Sequence, residues 1–234
     1  KKPVVVYKSG STAAGQKAAS SHTGALAGSY AMTVDLLRQA GVNVVGKSDE
    51  ILPVAEGLGL LQQAAGRRVA ILADGGGQAT IASDRLSEAG LCLAELEPAT
   101  RERLRAVLFP QASLANPIDV AGSTDANPGL LATCAEILCQ DRTVDQVFVV
   151  GMFGGYGIRF AQELAGQELD AAREIAALKQ KSDKPLIVYS LYAPLKPEPL
   201  EVLRGSGVPV YDSIEHAVEV LAALSERGEF ARRD

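Results

Sequence analysis

Short apolar runs rich in β-branched residues alternate with helical patterns along almost the whole chain. Runs of this length between turn signals are typical of strands buried in a sheet. Strands are predicted at residues 4–7, 42–45, 68–73, 91–94, 118–120, 146–150, 186–189 and 208–211. Strands that alternate with helices indicate parallel sheets. The sequence therefore predicts an α/β fold of two flavodoxin-like or Rossmann-like units, with mostly parallel sheets and helices on both faces.

A domain boundary is predicted at Gly66. Before it, apolar residues at helical spacing follow a predicted cap at Ser48, and after it Arg67 and Arg68 open a new strand. The predicted units are residues 1–66 and residues 67–234. The first holds only two strands, and a domain of about 60 residues buries a marginal share of its surface. We therefore expect that residues before Lys1 complete its sheet, or that it packs firmly on the second unit.

Composition narrows the classes of partner. The net charge is −5 and the isoelectric point lies near 5.2, which gives no electrostatic reason to bind nucleic acid or an anionic membrane. No run approaches the roughly 18 apolar residues of a membrane span. We expect a soluble, cytoplasmic protein with neither a nucleic-acid nor a membrane partner.

The cysteines and histidines give no sign of a metal centre. Cys92, Cys134 and Cys139 lack a CxxC spacing, so they are expected as ordinary small core residues rather than disulfides or zinc ligands. With only His22 and His216 in the chain, a histidine metal cluster is not predicted. His216 falls on the flank of the last predicted helix, where we expect it to be solvated.

Residues 9–29 are the strongest candidate for a reactive segment. Of these 21 residues, 17 are Gly, Ala, Ser or Thr, and one of the others is His22. The segment joins the first predicted strand to a helix with Ser29 as its N-cap, so we predict a loop at the strand's carboxyl end. Open α/β sheets bind ligands at that end. The competing interpretation is a flexible loop without a role.

A second candidate is the turn Asp74, Gly75, Gly76, Gly77 and Gln78, which joins a strand to a helix N-terminus. Glycines there let backbone N–H groups approach an anion such as phosphate, and the helix dipole favours it. The spacing is not GxGxxG and no Walker lysine follows, so a dinucleotide or P-loop site is poorly supported. A tight βα turn without a ligand is an equal alternative.

Two smaller motifs are further candidates, the first of them at the end of a buried strand. GMFGGYG at residues 151–157 has four glycines, with Arg159 just beyond as a possible partner for a carboxylate or phosphate; a simple turn with a solvated arginine is the alternative. In NPID, Asn116 and Asp119 offer an amide and a carboxylate to the same crevice. Together with His22, a nucleophile for phosphoryl groups, these pieces permit a phosphoryl-transfer hypothesis.

Several of these stretches resemble one family. KPVVVYKSG, SSHTGALAGS and QAGV are similar to the phosphohistidine module of the NDP-forming acyl-CoA synthetases, and more distantly to succinyl-CoA synthetase. VAILADGGGQATIASDRLSEAG, NPIDV and VDQVFVVGMFGG are similar to segments of the succinyl-CoA synthetase β subunit. The resemblance covers nearly the whole chain.

The resemblance implies an acid–CoA ligase that relays phosphate between an acyl phosphate and ADP through a phosphohistidine. His22 would be the nucleophile, with Ser21, Thr23 and Gly24 shaping its loop. Residues 75–78 would face the phosphate. Five residues of the two smaller motifs would line the acyl pocket: Asn116, Asp119, Phe153, Gly154 and Gly155. Arg159 is displaced by one residue from the family pattern, which leaves its role open.

The resemblance also implies partners. CoA and ATP or ADP with Mg would be bound mainly by CoA-binding and ATP-grasp modules that this stretch lacks, supplied in cis or as another subunit, and an oligomer is expected. A small carboxylic acid or acyl-CoA would be the substrate, and the fragment alone would be inactive. The alternative is a non-catalytic synthetase-like regulatory module of a protein acetyltransferase, against which His22 argues.

Overall fold

A computed structural model describes residues 2–23, 29–120 and 122–233. Eight parallel-paired strands lie in these ranges: β1 (Val5–Tyr7), β2 (Asn43–Val45), β3 (Arg68–Ala73), β4 (Cys92–Leu93), β5 (Ile118–Asp119), β6 (Gln146–Gly151), β7 (Leu186–Ser190) and β8 (Val210–Tyr211). The α-helices of the described ranges are α1 (Ala13–Thr23), α2 (Tyr30–Gln39), α3 (Ile51–Leu60), α4 (Gly76–Glu88), α5 (Pro98–Val107), α6 (Ser123–Ala126), α7 (Gly129–Gln140), α8 (Tyr156–Arg159), α9 (Leu164–Lys181), α10 (Glu198–Gly205) and α11 (Ile214–Ala231).

The strands form two parallel sheets. β1 pairs with β2 in a two-stranded sheet, with Val5 opposite Asn43 and Tyr7 opposite Val45. The larger sheet has the order β4-β3-β6-β7-β8, and the short β5 pairs with the end of β3. If β5 is left out and the other five strands are numbered in chain order, the strand order of the larger sheet is the flavodoxin-like 2-1-3-4-5. The predicted fold class, an α/β fold with mostly parallel sheets, is confirmed.

Helices cover both faces of the larger sheet because alternate strand residues point to opposite sides. Ala70 and Leu72 of β3 join the core under α5, α7, α9 and α10. Val69, Ile71 and Ala73 join the core under α3, α4 and α11. Every residue of β6 and β7 is buried, as expected for central parallel strands.

Helix α3 connects the two predicted units. It precedes Gly66 in the chain, yet its Val54 and Leu58 belong to the same core as α11 and the larger sheet. Tyr211 of β8 donates a hydrogen bond of 3.1 Å to the carbonyl oxygen of Pro53. The residues before Gly66 are therefore packed on the second unit through α3, while the boundary itself stays a prediction.

The loop predicted at residues 9–29 is wrong over its central part, because α1 is helical from Ala13 to Thr23. Thr12 begins the helix, since its Oγ1 accepts a hydrogen bond of 3.1 Å from the N–H of Gly15. The alanines of the segment favour a helix more than the serines and glycines oppose it. The predicted cap at Ser29 is present, with its Oγ accepting from the N–H of Met32 at 3.4 Å.

Three smaller expectations are also corrected. Ser48 does not cap the helix that follows it; the Glu50 carboxylate instead accepts the N–H groups of Gly46 and Lys47. Cys92 is exposed at the sheet edge, whereas Cys134 and Cys139 are buried as expected. His216 is only 25% exposed, and its Nε2 lies 3.5 Å from the carboxylate of Asp49, so it is not simply solvated. No described helix combines the length and apolar character needed to cross a membrane.

Candidate functional site

The carboxyl ends of β3 and β6 lie side by side at the point where the strand order reverses. Ala73 is opposite Val150, and the end of β5 sits on the other side of β3, with Asp119 opposite Ala73. Open α/β sheets bind ligands in the crevice at such a switch point. The turn before α4, Asp119 of the NPID motif and the loop after β6 therefore meet at one edge of the sheet.

The turn before α4 presents an open helix N-terminus. Gly76 and Gly77 are exposed, and a Cβ added at Gly77 would meet no other atom within 4 Å. Asp119 lies beside the turn, since a Cβ added at Gly76 would be 3.1 Å from its Oδ2. The first N–H groups of a helix lack intrahelical partners. The geometry leaves room for an anion at Gly76 and Gly77, with one carboxylate at its flank.

Asp74 links this turn to the loop after β6. Its Oδ1 accepts a hydrogen bond of 2.7 Å from the N–H of Met152, and its Oδ2 accepts one from the hydroxyl of Tyr156. Gly151 has φ +144°, and a Cβ there would lie 1.6 Å from Asp74 Oδ1, so only glycine permits the contact. Desolvation raises the pKa of Asp74 to about 6 despite these two donors.

The loop after β6 is held from beneath by Glu168 of α9. The carboxylate, which is 2% exposed, accepts hydrogen bonds from the N–H groups of Gly154, Tyr156 and Gly157 at 2.6, 3.1 and 3.4 Å. Burial raises the pKa of Glu168, opposed by these backbone donors. The glycine-rich turn thus already binds an internal carboxylate with its backbone.

Three of the residues predicted to line the acyl pocket, Phe153, Gly154 and Gly155, lie behind the crevice edge. Phe153 has no exposed surface, and its carbonyl oxygen accepts a hydrogen bond of 2.6 Å from Ser190 Oγ. Cβ atoms added at Gly154 and Gly155 would run into Leu200 and the ring of Tyr192. Gly154 and Gly155 are thus in close contact with other parts of the protein. The predicted role of Phe153, Gly154 and Gly155 in an acyl pocket stays a prediction.

The side chain of Asn116 forms hydrogen bonds with β3 at a position where a neighbouring strand would otherwise pair. Its Oδ1 accepts from the N–H of Ile71 at 2.9 Å, and its Nδ2 donates to the carbonyls of Val69 and Ala94 at 2.7 and 3.0 Å. These bonds fill the gap on β3 between the residues paired with β4 and those paired with β5. The amide of Asn116 therefore forms hydrogen bonds with the backbone in this structure. Its predicted role in an acyl pocket stays a prediction.

His22 lies in the last turn of α1. The side chains of Ser21, His22 and Thr23, and all of Gly24, fall outside what the structure describes, so the predicted histidine loop stays a prediction. Arg159 is exposed at the end of α8, with its guanidinium 5.7 Å from the ring of Phe160.

Sequence reasoning missed Tyr156, Glu168 and the linking role of Asp74. Tyr156 stands inside GMFGGYG and Asp74 opens the turn, so a search for polar residues beside glycine turns would have found both. Glu168 is one acid among several in a polar helix, and nothing local marks it.

The larger grooves of the described ranges lie away from this crevice. One of about 580 Å³ lies beside α3 and β8. One of about 510 Å³ lies between β2, α4 and α11, bordered by acids such as Glu88 and Glu219 and by Arg38 and Arg85. Neither is lined by the turn before α4, the NPID motif or the loop after β6.

Comparison with known proteins agrees with the predicted resemblance. Residues 1–58 match the family described as "Succinyl-CoA ligase like flavodoxin domain". The α subunit of acetate–CoA ligase (ADP-forming) II of Pyrococcus furiosus is 31% identical over 97% of this chain and 48% of its own length. A 4-hydroxybutyrate–CoA ligase (ADP-forming) of Nitrosopumilus maritimus is 30% identical over 96% of this chain and 30% of its own.

A solved structure shares the fold. The dinucleotide-forming acetyl-coenzyme A synthetase 1 of Ca. Korarchaeum cryptofilum, in complex with phosphate and ADP, superposes with a TM-score of 0.81 at 24% identity, over 100% of this chain and 49% of that one. The chain spans about half or less of the length of these relatives.

These matches define a protein that carries a succinyl-CoA ligase-like flavodoxin domain on an α/β scaffold. The chain resembles the NDP-forming acyl-CoA synthetases and matches about a third to half of the length of the ADP-forming acetate–CoA ligases to which it is similar. The predicted resemblance is confirmed.

Proposed function

We propose that the chain is the phosphohistidine-carrying part of an ADP-forming acid–CoA ligase, with His22 as the phosphate carrier. The observation that carries the proposal is similarity over 97% of the chain to the α subunit of an acetate–CoA ligase (ADP-forming). It is supported by His22 within the stretch that matches the succinyl-CoA ligase-like domain, residues 1–58. The relatives named for acetate and for 4-hydroxybutyrate leave the acyl group open.

The proposed relay has two balanced steps at His22. In the first, the phosphoryl group of an acyl phosphate moves to a ring nitrogen: the bond between phosphorus and the acyl oxygen breaks, an N–P bond forms and the carboxylate leaves. In the second, a terminal oxygen of ADP attacks phosphorus, the N–P bond breaks and ATP forms. Both steps reverse, and the acyl phosphate would arise from acyl-CoA and phosphate on the CoA-binding side.

The turn before α4 would receive the phosphoryl group. The open N-terminus at Gly75–Gln78 offers unpaired N–H groups and the positive end of the helix dipole, and its position at the switch point is where ligands bind in this class of sheet. Gly76 and Gly77 have space in front of them. A phosphate there would lie at the edge shared by Asp74, Asp119 and the loop after β6.

Helix α1 has the properties of a carrier segment. None of its residues with a described environment, from Ala13 to Ala19, is buried. A short helix is only marginally stable in water on its own. The described part of α1, Ala13–Ala19, is therefore supported by alanine propensity and the Thr12 cap rather than by burial in the core.

Nucleotide, CoA and Mg are assigned mainly to the CoA-binding and ATP-grasp modules of the complete ligase. In residues 2–23, 29–120 and 122–233 no three His, Cys, Asp or Glu side chains are grouped to hold a metal ion. These two modules, in cis or as another subunit, are the proposed partners.

The experiment labels the carrier. The chain, assembled with its CoA-binding and ATP-grasp modules, is given ATP labelled on the γ-phosphate, and the protein is analysed for phosphate that is lost in acid and retained in alkali. We expect the label on His22. The variant His22→Asn should lose it, while His216→Asn, which alters the other histidine of the chain, should keep it.

An unlabelled wild-type assembly would refute the proposal. Full ligase turnover by His22→Asn would also refute it. Full function of His22→Asn in an intact protein that carries an acetyltransferase domain would favour the regulatory alternative.

A further inference from the structure

The groove of about 510 Å³ lies where residues that precede the predicted boundary at Gly66 meet α4 and α11. One wall is β2 with the turn after it, and the opposite wall is the face of α11 from Glu215 to Glu226. The volume falls within the range of about 300–1,000 Å³ that is usual for small-molecule sites, which also favour junctions between packed units. The proposed function uses none of these residues.

Acidic side chains predominate around this groove. Among the described residues that line it, five are acids and three are bases. The acids are Glu50, Glu88, Glu215, Glu219 and Glu226. Lys47 lies 3.7 Å from the carboxylate of Glu50, and Arg85 lies 2.6 Å from that of Glu88. The groove therefore keeps an excess of negative charge even with these ion pairs formed.

Glu219 is an acid of the groove without a direct partner. Its side chain is half-buried and makes no hydrogen bond or ion pair with the residues that the structure describes. Burial raises the pKa of Glu219, and the charges of Glu50 and Glu226 raise it further. Lys47 and His216 act in the opposite direction without cancelling this effect. A positively charged ligand beside Glu219 would relieve the repulsion among these acids.

An independent observation points to a hydrogen-bond donor in the same place. Asn43 of β2 lines the groove and is only 3% exposed. Its Nδ2 donates to the carbonyl oxygen of Ala223 and to Glu226 Oε2, both at 3.2 Å, but its Oδ1 has no partner among the described residues. A buried acceptor without a donor is costly. Because the amide of Asn43 contacts Glu226, one ammonium group with its three donors would satisfy both side chains.

The spacing of the acids on α11 defines the shape of the ligand. Glu219 and Glu226 are seven residues apart, which is about two turns and about 10.5 Å along the helix axis. Ala222 and Ala223, which are buried, border the groove between them. No three His, Cys, Asp or Glu side chains of the described ranges are grouped to hold a metal ion. This arrangement favours a chain of separated charges joined by methylene groups over a compact cation.

We propose that this groove binds an aliphatic polyamine, with one ammonium group at Glu219 and another between Glu226 and the Oδ1 of Asn43. The methylene groups of the ligand lie along Ala222 and Ala223. Because Asn43 belongs to β2 and the two acids belong to α11, the ligand joins residues before Gly66 to the second unit and stabilises their packing. The inference is independent of the phosphohistidine relay.

Arg38 of α2 is a competing cation. It lines the groove, and its side chain makes no hydrogen bond or ion pair within the described ranges. A bound polyamine therefore shares the groove with this guanidinium and is repelled by it. Arg38→Gln should strengthen polyamine binding, whereas a site that binds an anion would lose affinity with the same change.

The test titrates spermidine into the 234-residue chain by calorimetry at pH 7, in about 0.15 M salt so that distant surface charges are screened. The NMR signal of the Asn43 side-chain amide locates the ligand. We expect saturable binding at least about tenfold tighter than that of methylammonium, because a second ammonium group on the same molecule binds intramolecularly. Glu219→Gln should weaken spermidine binding about tenfold, as expected for the loss of one hydrogen bond to a charged group.

Two further variants serve as a second test and a control. Glu226→Gln keeps an acceptor for the Nδ2 of Asn43 and should weaken spermidine binding to a similar degree. Glu174→Gln removes the same charge from an exposed site on α9 and should leave the affinity unchanged.

The proposal is overturned if spermidine does not bind saturably, or if binding leaves the Asn43 side-chain signal in place. It is also overturned if Glu174→Gln weakens binding as much as Glu219→Gln does, or if Arg38→Gln weakens it. None of these measurements involves His22, so an unlabelled His22 would overturn the relay alone.

Discussion

The carboxylate of Glu168 accepts a hydrogen bond of 2.6 Å from the backbone N–H of Gly154. The N–H groups of Tyr156 and Gly157 turn toward the same side chain. A buried acid on α9 therefore substitutes for the anion that a glycine-rich turn attracts, and it fixes the shape of one side of the crevice.

Replacing Glu168 should loosen this loop. Glu168→Ala leaves three N–H groups near the buried carboxylate site without a partner, and we expect a loss of about 3–5 kcal/mol in the free energy of unfolding. Glu168→Gln retains one acceptor oxygen and should lose less. Urea unfolding measures both, with the exposed Glu174→Ala on the same helix as the control; equal losses in Glu168→Ala and Glu174→Ala would contradict the assignment.

Asn116 should behave as a structural residue. Its amide makes three hydrogen bonds to the backbone of β3 and Ala94, so Asn116→Ala should lower the free energy of unfolding by about 2–4 kcal/mol. Asn127→Ala removes one bond to the N–H of Gly129 in an exposed turn and should cost about 1 kcal/mol. Thermal unfolding compares the two, and a loss for Asn116→Ala no larger than that for Asn127→Ala would contradict the structural role.

The sequence predicts features that depend on neighbouring residues better than contacts between residues far apart in the chain. The strand at 68–73 was predicted with the bounds found in the structure, because it is a short β-branched and apolar run between turn signals. Local reasoning reaches this far.

The remaining contacts join residues that are distant in the chain. Asn116 binds Ile71, which is 45 residues away, and Tyr156 binds Asp74, which is 82 away. The residues next to Asn116 and Tyr156 in the sequence do not predict these two contacts. Helix α1 was missed for a different reason: its Gly, Ser and Thr residues suggested a loop, while its alanines and the cap at Thr12 decided the outcome.

The packing of α3 on α11 should tolerate no side chain at Gly57. A Cβ there would lie 2.2 Å from Val220 Cγ1, so Gly57→Ala should cost about 1–3 kcal/mol through overpacking. Gly59 is in the same helix, and a Cβ there meets nothing within 4 Å. Gly59→Ala should therefore gain up to about 1 kcal/mol from helix propensity. Opposite signs in thermal unfolding are the expected result, and a shared sign would count against the α3 packing.

The three cysteines should differ in reactivity. Cys92 is exposed, whereas burial raises the pKa of Cys134 to about 12 and raises that of Cys139. The thiolate is the reactive form, so iodoacetamide at pH 8 should modify Cys92 alone in the folded chain. Peptide mass spectrometry identifies the modified site, and denaturant should open the other two. Early modification of Cys134 would show that its surroundings are not as described.

The ion pair between Asp145 and Arg68 should make stability depend on acid pH. Asp145 is buried, which by itself raises its pKa, but two hydrogen bonds from the Arg68 side chain and one from its backbone N–H lower the pKa below the ordinary value. A carboxyl group with a lowered folded pKa stabilises the fold above its unfolded pKa of about 3.9, and this contribution disappears as pH falls through the folded value. Because Arg68 is 46% exposed, we expect about 1 kcal/mol at pH 7. Asp145→Asn should lower the free energy of unfolding by that amount at pH 7 and by progressively less below pH 4, as measured by urea unfolding.

The exposed Asp183→Asn is the control and should follow wild type at every pH. A loss of stability in Asp145→Asn that persisted unchanged at pH 2 would show that the charge of Asp145 is not what stabilises the fold.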